Sequence, residues 1–156
     1  MQFKKILVPV DFSHFSKKAL KEAIKLAHCC KGKIYLLHVE EDIFQMKHIH
    51  QVHPPLEKLC ENMHREFIAD NKKMLAEFRS YIPRKLFAQA VIKEGHPFVE
   101  IVHFAKNRCM DLIIMSSRGR SNIKHAFLGS VAEKVARKAS CAVLIVKDKQ
   151  CKTISF

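Results

Sequence analysis

Acidic residues are scarce in this chain of 156 residues, where 15 Asp and Glu stand against 28 Lys and Arg. The resulting formal charge of +13 bears on solubility and non-specific attraction to polyanions rather than on fold. Zinc-finger spacing, a glycine-aromatic RNA signature and a long unbroken basic arm are all missing, so no sequence-specific nucleic-acid module is expected. Apolar runs are short: none approaches the ~20 residues of a membrane helix. The amino-terminal MQFKKILVPVDFS turns acidic and polar after five apolar residues, which argues against an export or membrane segment. The six cysteines, Cys29, Cys30, Cys60, Cys109, Cys141 and Cys151, never take CxxC spacing. Most lie in apolar stretches where a thiol packs as a small hydrophobe, so reduced thiols and a cytoplasmic location are expected. Neighbouring Cys29 and Cys30 cannot face one direction, which argues against a redox pair. With no GxSxG elbow and no paired carboxylates, no catalytic residue is assigned, and hydrolysis is expected to be slow or absent.

What is present fits a folded α/β chain. Apolar residues make up 48% and charged residues 28%, the balance of a globular protein. The length suits one domain, placed at 1–148 with a variable loop at 40–55 and a tail at 149–156.

FKKILVPV (3–10) ends in a continuous apolar run suited to a strand buried on both faces, with Asp11 at its carboxyl end. A helix follows from about Ser13, its cap, to Cys29, with Ala19, Leu20, Ala23, Ile24 and Ala27 on one face. After the turn at Gly32, KIYLLHV makes a second buried strand ending at Val39. Beyond the polar loop closed by Pro54 and Pro55, apolar residues from Leu56 to Phe78 recur at helical spacing, and this long helix ends near Ser80. Residues 86–92 read as strand three, and Gly95-His96-Pro97 opens a helix with Ile101, Val102 and Ala105 facing inward. MDLIIMS from Met110 and CAVLIVK from Cys141 are strands four and five, with a last helix, VAEKVARKA, between them. This alternation predicts a parallel sheet with helices on both faces and a ligand outside the strands' carboxyl ends, where Asp11, Val39, Met115 and Ser116 fall.

Residues 115–132, MSSRGRSNIKHAFLGSVA, put a glycine after strand four and, nine residues on, Gly129-Ser130 at a helix start. A helix N-terminus offers unpaired N–H groups and about half a positive charge, and glycines let the backbone approach an anion closely. Capping alone would explain Asp11 and Ser130 singly. Joined to Arg118, Arg120, Lys124 and His125, the spacing points to an anion site.

The stretch resembles the universal stress protein family, whose phosphate loop reads G-x2-G-x9-G-(S/T). Here Ser116 replaces the first glycine, Gly119 and Gly129 are the second and third, and Ser130 supplies the closing hydroxyl. ILVPVDFSHFSKKAL, HVE, EGHPFVEIVHFA and LGSVAEKVARKASCAVLIV carry the likeness along nearly the whole chain. The resemblance implies a three-layer α/β/α, Rossmann-like fold of the adenine nucleotide alpha hydrolase type, with a five-stranded parallel sheet in the order 3-2-1-4-5. It implies ATP or a related adenine nucleotide, with Mg2+, as ligand. Adenine and ribose contacts fall on Pro9, Asp11, Val39 and Met115, and phosphate contacts on Gly119, Arg120, Gly129, Ser130 and Val131. Val10, Ser116 and Arg118 complete the candidate set. It also implies a homodimer through strand 141–147, an apolar edge that invites pairing.

A dimeric interaction scaffold that has lost the nucleotide is the alternative, motivated by Ser116. A further one is salt-sensitive nucleic-acid association. His48, His50 and His53 complete no recognised metal pattern, and no metal is assigned to them.

Overall fold

The computed structural model describes residues 2–41, 54–119 and 128–147, with 54–61 described as backbone only. Among the described residues five strands and four helices alternate: β1 (Lys5–Pro9), α1 (His14–Cys30), β2 (Lys33–Glu40), α2 (Pro54–Ser80), β3 (Phe87–Glu94), α3 (Pro97–Asn107), β4 (Leu112–Ser116), α4 (Ser130–Lys138) and β5 (Ala142–Val146). All pairings are parallel and the order is β3-β2-β1-β4-β5, as the resemblance implied.

Alternation along the strands divides the core in two. Ile6, Val8, Ile34, Leu36, Leu112 and Ile114 point to the face covered by α1 and α2, where Leu20, Ala23, Leu75 and Phe78 meet them. Leu7, Leu37, Val39, Ile113 and Met115 point the other way, onto Ile101 and Phe104 of α3 and Ala132 and Val135 of α4. A strand buried on both faces therefore reads as a continuous apolar run.

Local chemistry sets the ends. Ser13 caps α1, its hydroxyl accepting the Ser16 N–H at 3.2 Å, and Lys31 closes the helix in the left-handed region. At Gly32 a Cβ would collide with the Phe3 carbonyl, so the turn into β2 needs glycine for proximity.

Several expected boundaries move. Pro54 and Pro55 belong to α2 rather than to the preceding loop, because the first helical turn has no use for the N–H that proline lacks. Strand three runs on to Glu94, since pairing with β2 continues through Val39↔Lys93 and Glu40↔Glu94. Strand four starts at Leu112, because Asp111 turns its carboxylate to the backbone N–H groups of Lys4 and Lys5, both at 2.8 Å. Met63 and Met74, helically spaced, are exposed. Cys29 and Cys109 are exposed as well, so the packing expected of the thiols holds only in part, for half-buried Cys30 and Cys141. No described helix is long and apolar enough to cross a membrane.

Candidate functional site

β1 and β4 share only two registered pairs, Ile6↔Leu112 and Leu7↔Ile113, and beyond them no pair joins the two strands. This is where strand order reverses, and a crevice opens outside the carboxyl ends. A cavity of about 270 Å³ lies there, near the lower end of the roughly 300–1,000 Å³ of small-molecule sites.

One wall is apolar: Pro9 and Val10 from the end of β1, Leu37 and Val39 from β2, and Met115 from β4. Asp11 is the polar group beside them. Its Oδ1 accepts from the Ser13 N–H at 3.0 Å and the Ser13 hydroxyl at 2.6 Å. Its Oδ2 faces Gly119, where an added Cβ would come within 2.9 Å. Capping and site readings of Asp11 thus use different oxygens of the same carboxylate.

The turn that carries Asp11 is clamped from the other face of the sheet. Val10 donates its N–H to the Leu37 carbonyl at 2.9 Å. Its carbonyl lies 2.8 Å from Nδ1 of buried His38, and since a carbonyl can only accept, Nδ1 carries the proton. The His38 ring stacks at 4.1 Å on Phe12, whose φ of 64° turns the chain into α1. His38 escaped the sequence reading because a histidine in a buried strand has no local signature.

The opposite wall is the start of α4. Gly129, at φ −67° and ψ 149°, is the N-cap and offers no side-chain cap. Ser130 is the first helical residue, exposed and one position too late to cap, so capping does not account for it even taken singly. Gly129 is required by proximity rather than by backbone angle, for its N–H donates to the Ser117 carbonyl at 2.7 Å and a Cβ would sit 3.2 Å from that oxygen. Glu133 N–H pairs with the Gly129 carbonyl, and the N–H groups of Ser130, Val131 and Ala132 have no acceptor among the described residues, all three residues lining the cavity.

Ser116 lines the crevice but does not point its hydroxyl proton into it. Its hydroxyl donates to the Arg118 carbonyl at 2.6 Å and folds the loop leaving β4 back on itself. Ser116, Arg118 and Gly119 line the cavity, and the Arg118 guanidinium stands 6.0 Å from the Phe15 ring. Arg120, with Lys124 and His125, lies outside the described residues, as do His48, His50 and His53.

The cavity thus gathers Pro9, Val10, Asp11, Val39, Met115, Ser116, Arg118, Gly119, Gly129, Ser130 and Val131. Sequence reasoning missed Ser16, Leu37, Glu41, Pro97, Ile101, Ser117 and Ala132. Pro97 and Ile101 come from α3, which crosses the cavity floor, and Ser16 from the first turn of α1, so only tertiary packing delivers them.

A five-stranded parallel sheet in the order β3-β2-β1-β4-β5, with helices on both faces and a cavity at the strand-order reversal, defines a three-layer, Rossmann-like α/β/α fold. The chain belongs to the universal stress protein family, which it matches over residues 2–147. It is 32% identical to universal stress protein YxiE of Bacillus subtilis, covering 93% of this chain and 99% of that one. Protein MJ0577 of Methanocaldococcus jannaschii is similar in sequence and structure, at 30% identity and a TM-score of 0.82 over 96% of this chain and 99% of that one. A universal stress protein solved in complex with cAMP, 21% identical, shares the fold at a TM-score of 0.67 over 94% of this chain and 98% of that one.

Proposed function

We propose that this chain is a cytoplasmic, dimeric stress-response or regulatory protein whose strand-end cavity binds an adenine nucleotide, ATP by first choice. The observation that carries the proposal is the pairing, within one cavity, of an uncapped helix start with an apolar slot that has a carboxylate at its edge. The α4 N–H groups and Arg118 suit phosphate, by hydrogen bonding and by the positive end of the helix dipole. Val39, Pro9 and Met115 suit the flat base, and Asp11 Oδ2 suits a hydrogen-bond donor on the nucleoside. No cluster of three metal-ligating side chains occurs among the described residues, so Mg2+ would arrive on the triphosphate. The cAMP complex of a distant relative has the same kind of ligand.

The test is to denature freshly purified protein, identify any released nucleotide by mass spectrometry, and titrate the emptied protein with Mg-ATP. Adenine nucleotide near one per chain, or saturable binding by calorimetry, supports the proposal. Absence of both favours the second reading, a dimeric interaction scaffold without nucleotide, which draws on the Ser116 side chain standing where the resembled motif has glycine.

A further inference from the structure

The end of the sheet opposite the cavity carries a concentration of positive charge. Strand starts are knitted together there: Lys33 N–H donates to the Lys4 carbonyl at 2.7 Å, Ile34 N–H to Leu86 at 2.7 Å, and Asp111 N–H to Lys5 at 3.0 Å. The same hydrogen bonds bring Lys4, Lys5, Lys31, Lys33, Arg84 and Lys85 onto one face, all of them exposed. Arg108, exposed at the end of α3, joins them through its carbonyl, which accepts from Lys5 Nζ at 3.1 Å.

No described carboxylate forms an ion pair with any of these side chains. Asp111 is the one acid in the strand-start segments 2–5, 28–33, 81–86, 106–111 and 138–141. Helix C-termini at this end supply about half a negative charge each, which a few cations would balance, and the cluster exceeds that need. At the other end of the strands the signs are mixed, with Asp11, Glu40, Glu41 and Glu94 beside Lys93, Arg118 and Lys147, so the excess of cations is concentrated at the strand starts.

We propose that this face binds the phosphate backbone of duplex nucleic acid without reading its sequence. Charge complementarity selects a polyanion. Among the described residues no helix or β-ribbon projects from the strand starts to enter a major groove, so base readout has no vehicle there. The described aromatic faces at this end are already covered: Phe3 is half-buried against the core, Arg79 lies over the Phe87 ring at 4.0 Å and Lys17 over the exposed Tyr81 ring at 4.1 Å, which leaves no platform for single strands. A bilayer would call for apolar side chains beside the cations, yet exposed Met63, Met74 and Leu144 lie on α2 and β5, and Tyr81 has its hydroxyl held by Lys17 and Glu77.

The experiment is fluorescence anisotropy of a short labelled DNA duplex with the full chain across a KCl series. Binding should weaken steeply with salt, each neutralised phosphate adding about 0.9 to the log–log slope, and should be the same for unrelated sequences and with Mg-ATP present. The triple variant Lys4→Gln, Arg84→Gln, Lys85→Gln removes three exposed charges whose heads hold no backbone. It should bind at least about tenfold more weakly at low salt, with a slope smaller by about 2–3. A control triple, Lys21→Gln, Lys72→Gln, Lys93→Gln, takes the same charge from elsewhere and should change affinity little. Equal losses in both triples, no binding at low salt, or salt-independent binding would each overturn the proposal. Binding to phosphatidylserine vesicles in place of the duplex would overturn it in favour of a membrane surface. Matching melting curves for wild type and variants exclude unfolding as the cause.

Discussion

Gly129 stands at a close approach in the site, its virtual Cβ 3.2 Å from the Ser117 carbonyl and its N–H bonded to that same oxygen. Gly129→Val is predicted to leave the fold largely intact and to weaken Mg-ATP binding at least tenfold, about 1.4 kcal/mol, because the branched side chain pushes the Ser117–Arg118 backbone and the start of α4 apart and disturbs the cavity wall they form. Titration calorimetry on the folded variant checks it, and unchanged affinity would place any ligand elsewhere. Asp11 has two roles to separate, one oxygen holding Ser13 and the other facing Gly119. Asp11→Ala should lower melting temperature through the lost turn contacts whatever the ligand. It should also weaken adenosine binding about tenfold or more while sparing inorganic triphosphate, since a hydrogen bond to a charged group is worth roughly 1.5–3 kcal/mol. Equal loss for both ligands would leave Asp11 a structural residue alone. Both residues were legible in the sequence, by spacing and by place at a strand end. The division of labour between the two carboxylate oxygens was not, because it depends on a loop more than a hundred positions away.

At the scale of elements, α1 illustrates how short-range chemistry sets the frame for the site. Ser13 accepts the Ser16 N–H and is itself held by Asp11, so the cap and the edge of the cavity form one hydrogen-bonded unit. Ser13→Ala should cost about 1 kcal/mol, seen as a melting temperature lower by about 2–4 °C. No change would mean that water replaces the cap. β5 is the edge strand beyond β4. The side chains of Val143 and Ile145 pack on the core shared with α3 and α4, whereas Leu144 is 42% exposed. A charge at Ile145 would therefore damage the monomer as well as any dimer. Leu144→Lys is the cleaner variant and should shift a wild-type dimer toward monomer in light scattering across concentration. A wild type that is monomeric at tens of micromolar, by the order of magnitude of ordinary dimer affinities, would refute pairing through β5.

For the molecule as a whole, the parallel sheet separates two kinds of surface: a cavity with acids near its mouth at the carboxyl ends, and an array of cations at the amino ends. Helices run back against the strands, so every helix start faces the cavity end, and this is why one end of such a sheet gathers ligands. Much of this organisation was determined by the sequence itself. Buried parallel strands must be apolar on both faces, amphipathic helices must show helical period, and a glycine at a helix start advertises close approach, so the succession and type of the elements and the glycine at the start of α4 were readable from residue pattern alone. Tertiary structure decided what pattern cannot encode. Extension of β3 to Glu94 depends on its partner strand, and the seat of Ser130 one residue inside α4 depends on the Gly129–Ser117 bond. His38 beneath Val10 and the strand-start lysines gathered on one face are contacts between segments distant in sequence. Local propensity sees only neighbours along the chain, whereas these features arise from register and packing across it.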